Sequence, residues 1–243
     1  MNATVAQLTA RSLLGRRRAA VLLALPTILL LLCVAVRMLV GTDAGFSVGL
    51  LGGFALGTVV PLLALIAGTG AIGPEIDDGS VVYLLAKPLR RSTIVRSKLA
   101  VSVAVVTAVA AVPTLLAGLV LSGTADGLAV AYGVGALVAG IAYCALFLLL
   151  AVLTRNAVVV GLLYALIWES LIGGFVPGAQ VLSIQQWALA ITERMLGAES
   201  QSLGVSSAVS FGAAVPSLLA VAVGATVFAG HRLRALRVTS GES

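Results

Sequence analysis

EIDDGSVVYLLAKPLRRSTIVRSK, residues Glu75 to Lys98, separates two long apolar runs and decides how the chain is read. The segment carries eight of the 24 acidic and basic residues of the sequence. An ionised side chain at the centre of a bilayer costs roughly 3 kcal/mol on insertion scales, so charge at this density belongs in water beside a membrane. Outward from this island, apolar runs long enough to cross a bilayer as helices fall at Ala19 to Val40, Val48 to Ile72, Leu99 to Leu121, Leu128 to Leu153, Ala157 to Val176 and Val205 to Gly230. Composition agrees: with 60% hydrophobic and 10% charged residues, 243 residues offer too little polar surface for a soluble domain. The expected fold is all-α, one integral membrane domain over residues 1–243 with six transmembrane helices. An even number of spans leaves both termini on one side.

Charge placement predicts which side. Arg11, Arg16, Arg17, Arg18, Lys87, Arg90, Arg91, Arg96, Lys98, Arg155, Arg232, Arg234 and Arg237 share one face, against Arg194 on the other, while Arg37 falls inside the first span. Basic residues collect in cytoplasmic loops, so the N and C termini and the island are expected in the cytoplasm. The net charge of +6 then reports topology and anionic lipid headgroups. A nucleic-acid partner is not expected, because no soluble basic module with interleaved aromatics is present. On this reading residues 1–18 form a cytoplasmic elbow segment, 73–98 a cytoplasmic loop, 178–206 an extracytoplasmic segment and 231–243 a cytoplasmic tail. The arginines at 16–18 precede a span longer than a signal-peptide core, so no cleavable signal is expected.

Local chemistry divides the island. Asp77 and Asp78 suit the positive end of a helix dipole, and Pro88 ends that helix by restricting Lys87, which predicts a short helix from about Gly79 to Ala86. Its Val81, Val82, Leu84 and Leu85 are apolar on most sides and need a protein groove or the membrane interface to cover them. Ser92 is the expected N-cap of a helix running through Lys98 into the membrane. The plainer alternative is a solvated loop whose basic residues only set topology.

Glu75, Gly79 four residues on, Leu84-Leu85, Pro88, Arg91 and Lys98 together resemble the signature of the ABC-2 type permeases, the membrane subunits of one class of ATP-driven exporters. The resemblance implies that the loop between the second and third spans carries a coupling helix that docks on a cytoplasmic ATPase, through Glu75, Asp77, Asp78, Gly79, Leu84, Leu85, Pro88, Arg91 and Lys98. It implies a surface-lying elbow helix in residues 1–18, and an assembly of two membrane domains with two ATPase domains. The second permease would be another copy of this chain or a paralogue. Related permeases export drugs and antibiotics, lipids or polysaccharides, and one branch serves the maturation of copper enzymes.

No phosphate-binding loop is present, since Lys87 precedes Pro and Lys98 precedes Leu where such a loop needs Gly-Lys-Ser/Thr. ATP and Mg are therefore expected in the partner ATPase, with no cofactor, metal site or catalytic residue in this chain. Cys33 and Cys144 lie within spans as small apolar residues, and His231 ends the last span in a snorkelling position.

Within the spans, Glu169 beside Trp168 is the acidic residue nearest the middle of a helix, and Arg37 is the intramembrane cation available to pair with it. Two readings stand: a buried ion pair that fixes helix orientation, or residues lining the substrate path. The order Trp168-Glu169, Pro177-Gly178, Leu182-Ser183-Ile184 also resembles a pattern in these permeases that helps keep the fold. Gly49, Gly53 and Gly57 repeat every fourth residue and make a smooth strip for helix packing, within the chain or between permeases. Pro61, Pro113 and Pro216 are expected to kink their helices.

After Pro177-Gly178, Ser183 and Gln186 form a capping-box pair, and Ile184, Trp187, Ala188, Ile191 and Met195 share one helical face. With Glu193, Arg194 and Glu199 following, this helix is expected to be amphipathic and external, lying along the outer surface with Trp187 at the headgroups, either as an anchor or as a lid on the exit. Residues 198–207 read as a flexible exposed loop. The sequence thus predicts a multi-pass permease subunit of an ATP-driven exporter in a bacterial cytoplasmic membrane, moving an apolar or amphipathic substrate. An ion-coupled secondary transporter using Glu169, or a non-transporting assembly subunit, are the alternatives; no internal repeat of the kind many secondary transporters show is found.

Overall fold

The computed structural model describes residue 9 and residues 16–41, 43–73, 91–124, 127–172, 176 and 178–235. Glu75, Asp77, Asp78, Gly79, Leu84, Leu85 and Pro88, and with them the expected coupling helix, lie outside the described residues, as do most of the elbow segment and the tail beyond residue 235.

The described elements are helices. α1 is Arg16–Leu39. α2, Ala44–Gly70, is α-helical over Ala44–Val48, π-helical over Gly49–Val59 and α-helical again over Val60–Gly70. α3 repeats that plan: Arg91–Val106, a π segment Thr107–Ala111, then Val112–Ser122. α4 is Leu128–Leu153, α5 is Ala157–Leu163 continuing as a π segment Tyr164–Ile172, α6 is Ile184–Leu196, α7 is Glu199–Leu203 and α8 is Phe211–Ala235. Valine-rich stretches such as Val101–Val106 have modest helix propensity in water. In a bilayer, helix is the form that satisfies their backbone.

The π segments of α2 and α3 have a visible cause. Pro61 and Pro113 each occupy the second position of the α-helical stretch that follows a π segment. A proline ring lacks the N–H and crowds the carbonyl four residues back, and a wider i to i+5 turn takes up that misfit without breaking the helix. Pro26 and Pro216 sit inside α1 and α8 without a π segment.

α4 is the central helix, in contact with α2, α3, α5, α6 and α8. It buries Tyr132, Tyr143 and Phe147 completely, against Leu51, Leu56 and Leu63 among others. Gly68 on α2 makes the close crossing possible: a Cβ there would stand 2.9 Å from that of Phe147 and 3.1 Å from the carbonyl of Cys144. A separate apolar cluster gathers at the end of the bundle that bears the island, from Ala71, Ile72, Val95, Leu148, Ala151, Ala157, Ala229 and Leu233. Exposed Leu23, Leu31, Val158, Val159 and Val223 give α1, α5 and α8 an apolar outer surface suited to lipid.

Among the described residues, five helices are long and apolar enough to cross a membrane: Ala19–Leu39, Ala44–Gly70, Thr93–Ser122, Leu128–Leu153 and Phe211–Leu233. Three of them meet their expected spans within a few residues at each end, and Thr93–Ser122 begins ahead of the expected Leu99. Of the expected fifth span, Ala157 to Val176, α5 is described as far as Ile172, and residues 173–175 lie outside the described residues. α6 lies along the other half of α4: Gly161 of α5 is level with Phe147 of α4, whereas Thr192 of α6 donates to the carbonyl of Ala131, near the other end of α4.

α6 therefore corrects the expectation of an outer-surface helix. Trp187 is 6% exposed, and its ring N–H donates to the Val181 carbonyl at 2.8 Å inside the fold. Apolar residues at helical spacing say that one face is covered, and here the cover is α4 and α8 rather than headgroups. Residues 198–207 are likewise more ordered than a flexible loop. They contain α7, and buried Val205 and the backbone N–H of Ser207, which donates to Glu193, lay the chain back along α6. The last helix consequently starts at Phe211, later than the expected Val205. Ser92 lies inside a helix already formed at Arg91, so it is not the N-cap.

Candidate functional site

Glu169 stands on the π segment of α5 and is fully buried. Its Oε1 accepts from the Tyr164 hydroxyl at 2.9 Å and the Ile184 N–H at 3.0 Å. Its Oε2 accepts from the Ser183 hydroxyl and, at 3.4 Å, the Gln185 N–H. Ile184 and Gln185 open α6, whose first N–H groups have no partner within the helix. The carboxylate thus caps α6 from another helix and offsets the positive end of its dipole. Ser183 is the N-cap proper, its hydroxyl accepting from the Gln186 N–H at 3.3 Å. The other half of the expected capping box is diverted: the Gln186 side-chain oxygen accepts instead from the Ala208 N–H.

Gln185 carries the network to α2. Its side-chain nitrogen donates to the Gly52 carbonyl at 2.9 Å, and Gly57 leaves it room: a Cβ there would lie 2.8 Å from that nitrogen. Tyr143 stacks on Phe147 at 5.9 Å, and Phe147 meets Tyr164 edge-on at 6.1 Å, so an aromatic wall backs the carboxylate. Among the described residues, the buried hydroxyl of Tyr132 has no hydrogen-bond partner, whereas that of Tyr143 lies beside Glu169 and Gln185. Both belong to α4; that of Tyr132 would lie 3.3 Å from a Cβ on Gly52.

The expected pairing of Arg37 with Glu169 does not occur. The Arg37 guanidinium donates to the Leu121 carbonyl at 2.8 Å, at the C-terminal end of α3. Arginine and glutamate were matched by sign, but each is consumed by the helix end nearest to it, where unsatisfied backbone groups of opposite polarity are concentrated. Trp168, next to Glu169, is partly exposed. The glycine strip is also split: Gly57 is buried against Gln185, while a Cβ on Gly49 or Gly53 would meet nothing within 4 Å.

Of the expected coupling residues, Arg91 and Lys98 lie on described backbone, at the start of α3. Lys98 is 1% exposed, and its ammonium donates to the Ala71 carbonyl just past the end of α2. One turn on, the Ser102 hydroxyl donates to the Ala67 carbonyl at 3.0 Å. The island is therefore bordered by two helices tied at their ends.

A family model described as ABC-2 family transporter protein matches residues 6–228. The chain belongs to the ABC-2 transporter family. It is thus a multi-pass membrane permease of an ABC transporter, the component that works with an ABC ATPase subunit. No curated protein matches the chain. For an ABC-2 permease the polar groups of greatest interest are the Glu169 network and the Lys98 junction. Sequence reasoning singled out Glu169 and Lys98 but not Tyr164, Gln185 or Ser102. Of these, Gln185 was the most findable, as an amide next to an N-cap and two residues before a buried tryptophan.

Proposed function

We propose that this chain is the membrane-spanning subunit of an ATP-driven exporter of an apolar or amphipathic substrate, energised by a separate ATPase that docks on residues 75–91. Two ATPase subunits carrying ATP and Mg would serve a pair of permeases, this chain with itself or with a paralogue, in a bacterial cytoplasmic membrane. The observation that carries the reading is the family match across 6–228, which spans the island and the helices on both sides of it. The tied helix ends at Lys98 and Ala71 support it, because a loop that receives a push needs a firm base. Among the described residues, the two charges the sequence offered for a substrate path are already engaged: Glu169 accepts from four donors and Arg37 caps a helix.

Saturation also weakens the alternative of an ion-coupled transporter using Glu169, since a carboxylate that exchanges ions needs free coordination sites. The deciding experiment is purification of the tagged chain from its membrane in mild detergent, with mass spectrometry of stoichiometric companions. A soluble chain with a Gly-Lys-Ser/Thr phosphate loop, lost in Glu75→Lys, is the expected result. A preparation without such a chain would overturn the ATP-driven reading.

A further inference from the structure

The two helices that border the island are built alike. From the island inward, α2 is regular over Val60–Gly70 and α3 over Arg91–Val106, and each then passes into a π segment, Gly49–Val59 in one and Thr107–Ala111 in the other. The helices run antiparallel. Lys98 opposite Ala71 and Ser102 opposite Ala67 set a register that brings Thr107–Ala111 beside the Val59–Pro61 junction. The two helices thus change from α to π within about one turn of each other, beyond the two ties. Below that depth, Ala71, Ile72 and Val95 pack in the island-end cluster, distinct from the main core.

Burial of an ammonium is costly unless it does something a methionine would not. We infer that Lys98 is the positioning residue that ties Val60–Gly70 and Arg91–Val106 into one lever, hinged at the paired π segments, through which a displacement of the island reaches the opposite end of the bundle. This rests on the proposed docking of an ATPase at residues 75–91. The regular stretches are stiff because i to i−4 hydrogen bonds hold their successive turns. The π segments are the softer part, since the i to i+5 ladder is rare in helices and recurs at functional positions. With the Lys98 bond in place, a force on residues 74–90 cannot spread the ends at Gly73 and Arg91 apart, so both helices turn together. Without it, the force is spent in separating them.

The test uses the permease in complex with its co-purified ATPase, with spin labels at Ser122→Cys and Ser206→Cys, both at the end away from the island. The distance distribution is recorded with and without ATP and vanadate. The wild-type background is expected to shift on trapping. Lys98→Met is expected to keep stoichiometric ATPase and hydrolysis while losing the shift, and a disulfide between Ala67→Cys and Ser102→Cys is expected to restore it. A full shift in Lys98→Met overturns the inference while leaving the ATPase reading intact. A wild-type complex that contains the ATPase yet never shifts overturns both. Should Lys98→Met fail to assemble, the same disulfide beside native Lys98 decides: the shift is expected to survive, because the locked helices move as one, and its loss overturns the lever.

Discussion

Glu169 and Lys98 are both buried charges on helix ends, yet they are engaged differently. The donors to Glu169 are local: Tyr164, Ser183, Ile184 and Gln185 lie within one stretch of chain, and Gln185 alone carries the network on to α2. Lys98 instead reaches from α3 to the end of α2, across the island that separates them in sequence. The first arrangement holds α5 to the start of α6. The second links two elements to the segment that interrupts them. A charge inside a membrane bundle is therefore not by itself a sign of a transport site, and the donors it has taken tell which job it does.

The largest effect should come from breaking the Glu169 network. Glu169→Ala leaves two backbone N–H groups and two hydroxyls unpaired in the bundle, and at about 1–3 kcal/mol for a buried unsatisfied group the loss should reach roughly 3 kcal/mol or more. A clear fall in the thermal unfolding midpoint in detergent is expected, and a midpoint equal to wild type would show that the four bonds do not hold α5 to α6. Gly57→Val tests the same network from α2. Its side chain must displace the Gln185 amide, so unfolding should be easier by about 1–3 kcal/mol, as for overpacked cores, while Gln185→Ala in the same background should recover part of the loss. Additive losses in the double variant would place the cost elsewhere.

Smaller effects sharpen the contrast at the single ties. Arg37→Met removes one hydrogen bond to the Leu121 carbonyl and should cost about 1–2 kcal/mol of stability. Arg37→Met combined with Glu169→Gln should be additive within about 0.5 kcal/mol, since the two charges share no partner, and a strong interaction in that double-mutant cycle would revive the ion pair. Smallest of all, Gly49→Ala and Gly53→Ala meet open space and should leave unfolding within about 0.5 kcal/mol of wild type. A loss of permease self-association in either variant would assign that open strip to the contact between two copies.

Much of the bundle was legible because apolar run length reports membrane helices directly. The match at Leu128–Leu153 and the near matches at α1, α2 and α3 follow from that. Run length could not say what covers the helix at 184–196, because an apolar face there reads the same whether headgroups or another helix cover it. Long-range partners were out of reach in principle. Arg37 and Glu169 attract as charges, and which helix end lies closer to each is set by packing between elements far apart in sequence. The island's motif was legible as chemistry, and Lys98, read there as a coupling residue, proves to be buried at the base of the loop.

The most direct test of the contrast is the ATP-dependent spin-label shift between positions 122 and 206, measured for Glu169→Gln beside Lys98→Met in complexes of equal ATPase content. The account predicts that the glutamine variant keeps the shift while unfolding more easily, and that the methionine variant loses it. The reverse pattern, with the shift lost in Glu169→Gln and intact in Lys98→Met, would contradict the account and return Glu169 to the transport path.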